Sequence, residues 1–163
     1  MEETFIRQNI PYRLIGATRF YSRKEIKDVL GFLRLVHTSD DDVSFMRVVN
    51  VPPRGIGART LAVVSDEAST LDSSRYQGLL SVLKQKKLST RASQSLNTFA
   101  VMLETWRALQ EQVPVAQLLD RILTDTGYEG YIRDGSDEGE SRWENIQALR
   151  CLLYTSPSPR DRS

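Results

Sequence analysis

The chain has 163 residues, 40% of them apolar and 26% charged, an ordinary globular composition that excludes wholesale disorder. Twenty-two Lys and Arg against 21 Asp and Glu leave a net charge of +1, so no global basic field points to nucleic acid. One Cys and one His exclude a Cys/His zinc cluster and a disulfide framework. No apolar run nears the roughly 20 residues of a membrane span, and the start lacks a signal-peptide core; the expectation is a soluble, intracellular, helix-rich chain.

Residues 2–7 read as the end of an amphipathic helix, and Asn9-Ile10-Pro11 leads into the apolar run Tyr12-Arg13-Leu14-Ile15. Bounded by Pro11 and Gly16, that run is expected to be a strand, with Phe20-Tyr21 a second, shorter extended piece. Nothing before it offers a pairing partner, which points to an internal slice of a larger protein. Ser22-Arg23-Lys24-Glu25 fits a capping box opening a helix with Ile26, Val29, Leu30, Leu33 and Val36 on one face. Ser39 followed by Asp40, Asp41 and Asp42 starts another helix, a hydroxyl cap with carboxylates in the first turn, filled by Phe45, Met46, Val48 and Val49.

Val51-Pro52-Pro53 must break that helix. After Gly55-Ile56-Gly57 comes a helix bearing Leu61, Val64, Ala68 and Leu71, then a shorter one near residues 76–86 with Leu79, Leu80 and Leu83. A long helix over about 89–112 places Ala92, Leu96, Phe99, Leu103 and Trp106 on one stripe. Pro114 suits the first turn of the next, which buries Val115, Leu118, Leu119 and Ile122 and stops at Gly127. Residues 135–139 read as an exposed acidic loop. Trp143, Ile146 and Leu149 recur at helical spacing up to Arg150. From Cys151 the text back-translates into something resembling a transposon-type sequencing adapter, so residues 151–163 are expected to be an artefact tail.

Charge is unevenly distributed. Residues 1–60 carry 10 basic and 7 acidic side chains, whereas residues 114–150 carry 4 and 8. An anionic partner should prefer the N-terminal third.

The segment Pro53-Arg54-Gly55-Ile56-Gly57-Ala58-Arg59-Thr60 is the most informative. Two glycines around one apolar residue permit a tight hairpin with positive φ, in which Ile56 plugs the core. Free N–H groups of the hairpin and the next helix start then face outward and can hold a phosphate, aided by Arg54, Arg59 and the Thr60 hydroxyl. Such a clamp grips backbone and ignores base sequence. The same pattern also serves as a plain helix connector. Arg19-Phe20 is a second candidate, for stacking single-stranded bases; the alternative is that Phe20 and Tyr21 are core and the charges from Arg23 to Asp28 a solvated helix face. The three aspartates are explained by capping rather than metal binding, His37 by the last turn of a helix, and Lys84, Lys86 and Lys87 by a solvated helix end. No catalytic residue and no metal site is expected. The sequence has no Gly-Lys-Ser/Thr phosphate loop and no acidic Walker-B strand.

Taken together, Ile10-Pro11-Tyr12-Arg13-Leu14-Ile15-Gly16, Arg19-Phe20-Tyr21-Ser22-Arg23-Lys24-Glu25-Ile26-Lys27-Asp28, Leu33-Arg34-Leu35, Asp41-Asp42 and Arg47-Val48-Val49-Asn50-Val51-Pro52-Pro53-Arg54-Gly55-Ile56-Gly57 closely resemble the UvrD/PcrA/Rep family of superfamily 1A DNA helicases. Arg142-Trp143-Glu144-Asn145-Ile146 extends the resemblance to about residue 150. Ala17 stands where the family usually repeats glycine, Tyr21 replaces a common Phe, and Ser22 a common acidic residue.

The resemblance implies a mainly α chain. A short edge strand of a RecA-like α/β motor domain (2A, residues 1–23) would lead into a multi-helix 2B-type subdomain (24–150) with a helix-hairpin-helix-like element. It implies part of an ATP-dependent 3′-to-5′ DNA helicase acting in repair or replication, cytoplasmic, with ATP and Mg²⁺ bound by missing motor domains of the same chain. Arg54, Gly55, Ile56, Gly57, Arg59 and Thr60 would contact duplex DNA ahead of the fork and regulate unwinding. Arg19 and Phe20 would lie near the single-strand path. Repair proteins are further implied partners, and a membrane is not. The alternatives are a non-catalytic helical module binding DNA or protein, and part of a helicase-nuclease subunit.

Overall fold

The structure, a computed structural model, describes residues 11–155, with side chains over 16–154. The helix end expected at residues 2–7 and the tail beyond 155 lie outside the described residues. The chain order is α1 (Pro11–Tyr21), α2 (Lys24–His37), α3 (Asp42–Val48), α4 (Ala58–Leu71), α5 (Arg75–Gln85), α6 (Thr90–Leu109), α7 (Val115–Thr126), α8 (Tyr128–Ile132) and α9 (Asp137–Thr155).

No strand occurs among the described residues, which corrects the expectation for Tyr12–Ile15 and Phe20-Tyr21: both fall within α1. A strand must give its N–H and C=O groups to a neighbour, and none is present among these residues; a helix satisfies them within the segment. The capping box is corrected with it. Because α1 runs to Tyr21, the Ser22 hydroxyl donates to the Arg19 carbonyl (2.8 Å), while Arg23 occupies the N-cap of α2 without a side-chain bond. Glu25 is buried and accepts from Asn145 Nδ2 of α9 (2.8 Å).

The cap of α3 is Asp41 rather than Ser39, accepting from the Ser44 amide (3.0 Å) and hydroxyl (2.9 Å). Its neighbours reach α5 instead. Asp40 accepts from Ser74 Oγ (2.7 Å), and Asp42 takes the Arg75 amide (2.9 Å) and guanidinium (3.0 Å). The expected acidic loop is shorter than the sequence suggested: Gly135 turns at φ +92°, Asp134 accepts from Ser136, and α9 starts at Asp137 with three acidic residues at its positive pole. Its continuation through Thr155 places the Tyr154 hydroxyl on Asp120 (2.8 Å).

Two apolar clusters form the core, and α2 and α7 serve both. Phe32, Leu35 and Val36 of α2 join Phe45, Ile56, Val64, Leu79, Leu96, Phe99, Leu103, Trp106, Leu118 and Ile122 in the larger cluster. Ile26 and Val29 join Leu119, Leu123, Tyr128, Ile132, Ile146 and Leu149 in the smaller. The expected stripe of α6 is buried from Leu96 onward, and Trp106 both meets Phe32 edge-on and donates Nε1 to Asp125 (2.9 Å). On α2 the burial centres on Phe32 and Leu35, leaving Leu30 and Leu33 only partly covered. Gly78 lets α4 and α5 approach closely: a Cβ there would lie 2.5 Å from the Val64 carbonyl oxygen and 2.9 Å from the Ala68 nitrogen.

Two stability outcomes follow from this packing. Gly78→Val should force α4 and α5 apart and lower stability by about 1–3 kcal/mol, read from urea unfolding. Asp41→Ala should cost about 1 kcal/mol at neutral pH. The Ser44 amide and hydroxyl hold the Asp41 carboxyl below the usual carboxylate range, so its contribution is complete above the unfolded-state value and lost as pH falls through the folded one. The urea midpoints of parent and variant, separate at neutral pH, should converge below about pH 4.

Candidate nucleic-acid interface

The connection from α3 to α4 is built by two side chains that act on its backbone. Asn50 Oδ1 accepts from the amides of Arg54 (2.8 Å) and Ile56 (3.4 Å). Arg54 turns inward: Nη1 donates to the Val49 carbonyl (3.0 Å), Nη2 to the Val51 carbonyl (2.9 Å), and the guanidinium lies 5.1 Å from the Phe99 ring centroid. Burial lowers the Arg54 pKa to about 10, so the group stays charged at neutral pH. The sequence marks Arg54 as a cation; its contact with Phe99, 45 residues further along the chain, is set by the tertiary structure.

The two glycines differ. Gly55 sits at φ +81°, and a Cβ there would meet Ser95 Oγ at 3.4 Å, so positive φ and close approach coincide. Ile56 is 1% exposed within the larger cluster, as the hairpin pattern suggested. Gly57 is the extended N-cap of α4 (φ −81°, ψ 175°), and a Cβ on it would have no neighbour within 4 Å.

At the start of α4 the N-cap has no side chain to give and the first turn holds no acidic residue. The amides of Ala58, Arg59 and Thr60 therefore lack an intrahelical acceptor and a capping oxygen. Arg59 is exposed and Thr60 partly so. This arrangement can hold an anion by amide donation, helix dipole and one mobile cation.

Beside the loop opens a cleft of about 350 Å³ lined by Pro52, Pro53, Arg54, Arg91, Gln94, Ser95 and Thr98 among others. The α6 residues in it were not singled out in the sequence, where Arg91 is an isolated charge in a first helical turn. The Arg19-Phe20 candidate is held elsewhere: Phe20 packs on the smaller cluster, Tyr21 remains 45% exposed, and Arg19 faces solvent. The charges from Arg23 to Asp28 are not uniformly solvated, since Glu25 and Asp28 are buried. Lys87 ends on Glu67 at 3.2 Å. No group of three metal-ligating side chains occurs among the described residues, and the sequence lacks a phosphate loop, so the residues present do not fit Mg²⁺-ATP. No helix among the described residues is long and apolar enough to cross a membrane.

The chain is 39% identical over 147 residues to the ATP-dependent DNA helicase PcrA of Bacillus subtilis, a match covering 90% of this chain and 20% of that protein. It is 35% identical over 150 residues to DNA helicase II of Escherichia coli, covering 91% and 21% respectively. The chain thus spans about a fifth of the length of these relatives. The family described as the UvrD-like helicase C-terminal domain matches residues 1–155, and the chain belongs to that family.

Proposed function

We propose that the chain is the part of an ATP-dependent 3′-to-5′ DNA helicase that holds the duplex ahead of the fork, with the loop of residues 54–60 presenting the α4 amides and Arg59 to the sugar-phosphate backbone and so regulating unwinding. The observation that carries this reading is the uncapped start of α4, presented on a loop locked by Asn50 and Arg54, with Arg59 exposed beside it. Phosphate is the anion a DNA-acting protein meets most often, and backbone amides bind it without reference to base identity. The names of the relatives, both DNA helicases, support the same partner. In this reading residues 1–23 are part of the second motor domain and 24–150 form the helical subdomain, and the break between α1 and α2 supports the division. ATP and Mg²⁺ belong to motor elements of the same polypeptide outside this chain, Arg19 flanks the single-strand path, and a cytoplasmic location and repair-protein partners go with the role.

The glycines provide the test. Gly57→Val should fold normally, because its backbone suits any residue and its Cβ meets nothing, yet its branches would stand where a phosphate must approach. Duplex affinity should fall several-fold on two unrelated sequences alike, measured by fluorescence anisotropy at two salt concentrations. Arg59→Ala should reduce the slope of log K against log salt by about 0.9. Gly55→Val, strained at φ +81°, should instead destabilise the fold. Unchanged duplex affinity in folded Gly57→Val would reduce the loop to a helix connector, and a loss confined to one duplex would point to base readout.

A further inference from the structure

We propose that Arg54 is a positioning residue for this duplex grip rather than a phosphate contact: its guanidinium, fastened to the carbonyls of Val49 and Val51, holds the loop in the conformation that presents the α4 amides. The inference rests on the duplex-binding reading of the loop and reassigns one of its residues.

The geometry supplies the reason. Both terminal nitrogens of Arg54 donate to carbonyls of the same loop, and the guanidinium is stacked near Phe99, which belongs to the larger cluster. Asn50 closes the loop from the other side by taking the Arg54 and Ile56 amides. Two carbonyls and two amides of residues 49–56 are thus held by the Arg54 and Asn50 side chains, and the guanidinium meets α6 at Phe99. Gly55 then reverses the chain against Ser95, Ile56 enters the core, and the next amides emerge at the helix start. Releasing Arg54 would free two carbonyls to rotate and remove the stacking on α6 that fixes the loop height. A lysine could not replace it. Its ammonium is a single compact donor group, whereas the two Nη atoms of Arg54 each reach a separate carbonyl while the guanidinium lies against the Phe99 ring.

The experiment uses the whole 163-residue chain, with amide hydrogen exchange read without DNA and anisotropy titrations read with duplex at several salt concentrations. Arg54→Ala and Arg54→Lys should both speed exchange of the Ile56 amide by about tenfold or more. Both should weaken duplex binding by about tenfold at every salt concentration while leaving the salt slope unchanged. Asn50→Ala removes no charge and should do the same. Arg59→Ala should behave oppositely, lowering the slope by about one with Ile56 exchange unaltered. Full affinity in Arg54→Lys together with a slope reduced by about one in Arg54→Ala would make Arg54 a phosphate contact and overturn the proposal. Unaltered Ile56 exchange in both Arg54 variants would overturn it as well. Should Arg54→Ala lose helicity by circular dichroism, Arg54→Lys and Asn50→Ala decide the matter. Failure of the duplex-binding reading shows separately, as wild-type affinity in Gly57→Val, and the exchange data still decide what Arg54 does.

Discussion

The buried carboxylate of Asp28 joins the two halves of the core. It lies on α2 among the residues that enter the smaller cluster, Ile26 and Val29, one turn before those that enter the larger, Phe32 and Leu35, and it is only 2% exposed. Arg47 of α3 stands 3.1 Å from one oxygen, and the Tyr128 hydroxyl of α8 donates to the other at 3.0 Å. Burial raises the Asp28 pKa against the opposing pull of Tyr128 and Arg47; the same burial and the nearby carboxylate push Tyr128 up, so its hydroxyl remains a donor. An ion taken out of water is retained only with partners of this kind, and three helices are committed to one mutual placement by supplying them.

That placement reaches the interface through α3. Arg47 is the penultimate residue of α3, so its ion pair with Asp28 ties the end of that helix, where the connection to α4 begins, to α2. From there two kinds of residue divide the work. Asn50, Arg54 and Ile56 face inward and give the loop a single shape. Gly57, Arg59 and Thr60 are left at the surface with amides that have no acceptor in the helix. A clamp for phosphate benefits from this division, since a preformed loop loses little conformational freedom on binding.

The helical character of the chain was legible from residue spacing wherever a segment is long and its apolar stripe regular. The stripe from Leu96 to Trp106 is buried as read, Gly127 ends α7 at φ +68°, and Ile56 fills the core between two glycines. Short polar signals were legible only as types. Ser22 and Glu25 have the spacing of a capping box, but each found another partner, the Arg19 carbonyl and Asn145. Ser39 reads as the cap and Asp41 takes the role, because local sequence does not say which residue leaves the helical conformation first. Tyr12–Ile15 has strand composition, and a strand exists only with a neighbour to pair with.

What the sequence determined by itself is therefore what depends on neighbours along the chain: helix periodicity, the break at Val51-Pro52-Pro53, and the family resemblance carried by motifs in order. What only the tertiary structure decided is the direction in which polar side chains point. Asp40 and Asp42 bond to the start of α5, Asp28 is buried against Arg47 and Tyr128, and Arg54 bonds its own loop beside Phe99 while Arg59 remains in solvent. The physical reason is that a charged group's energy depends on solvent exposure and on partners distant in sequence, and local spacing records neither.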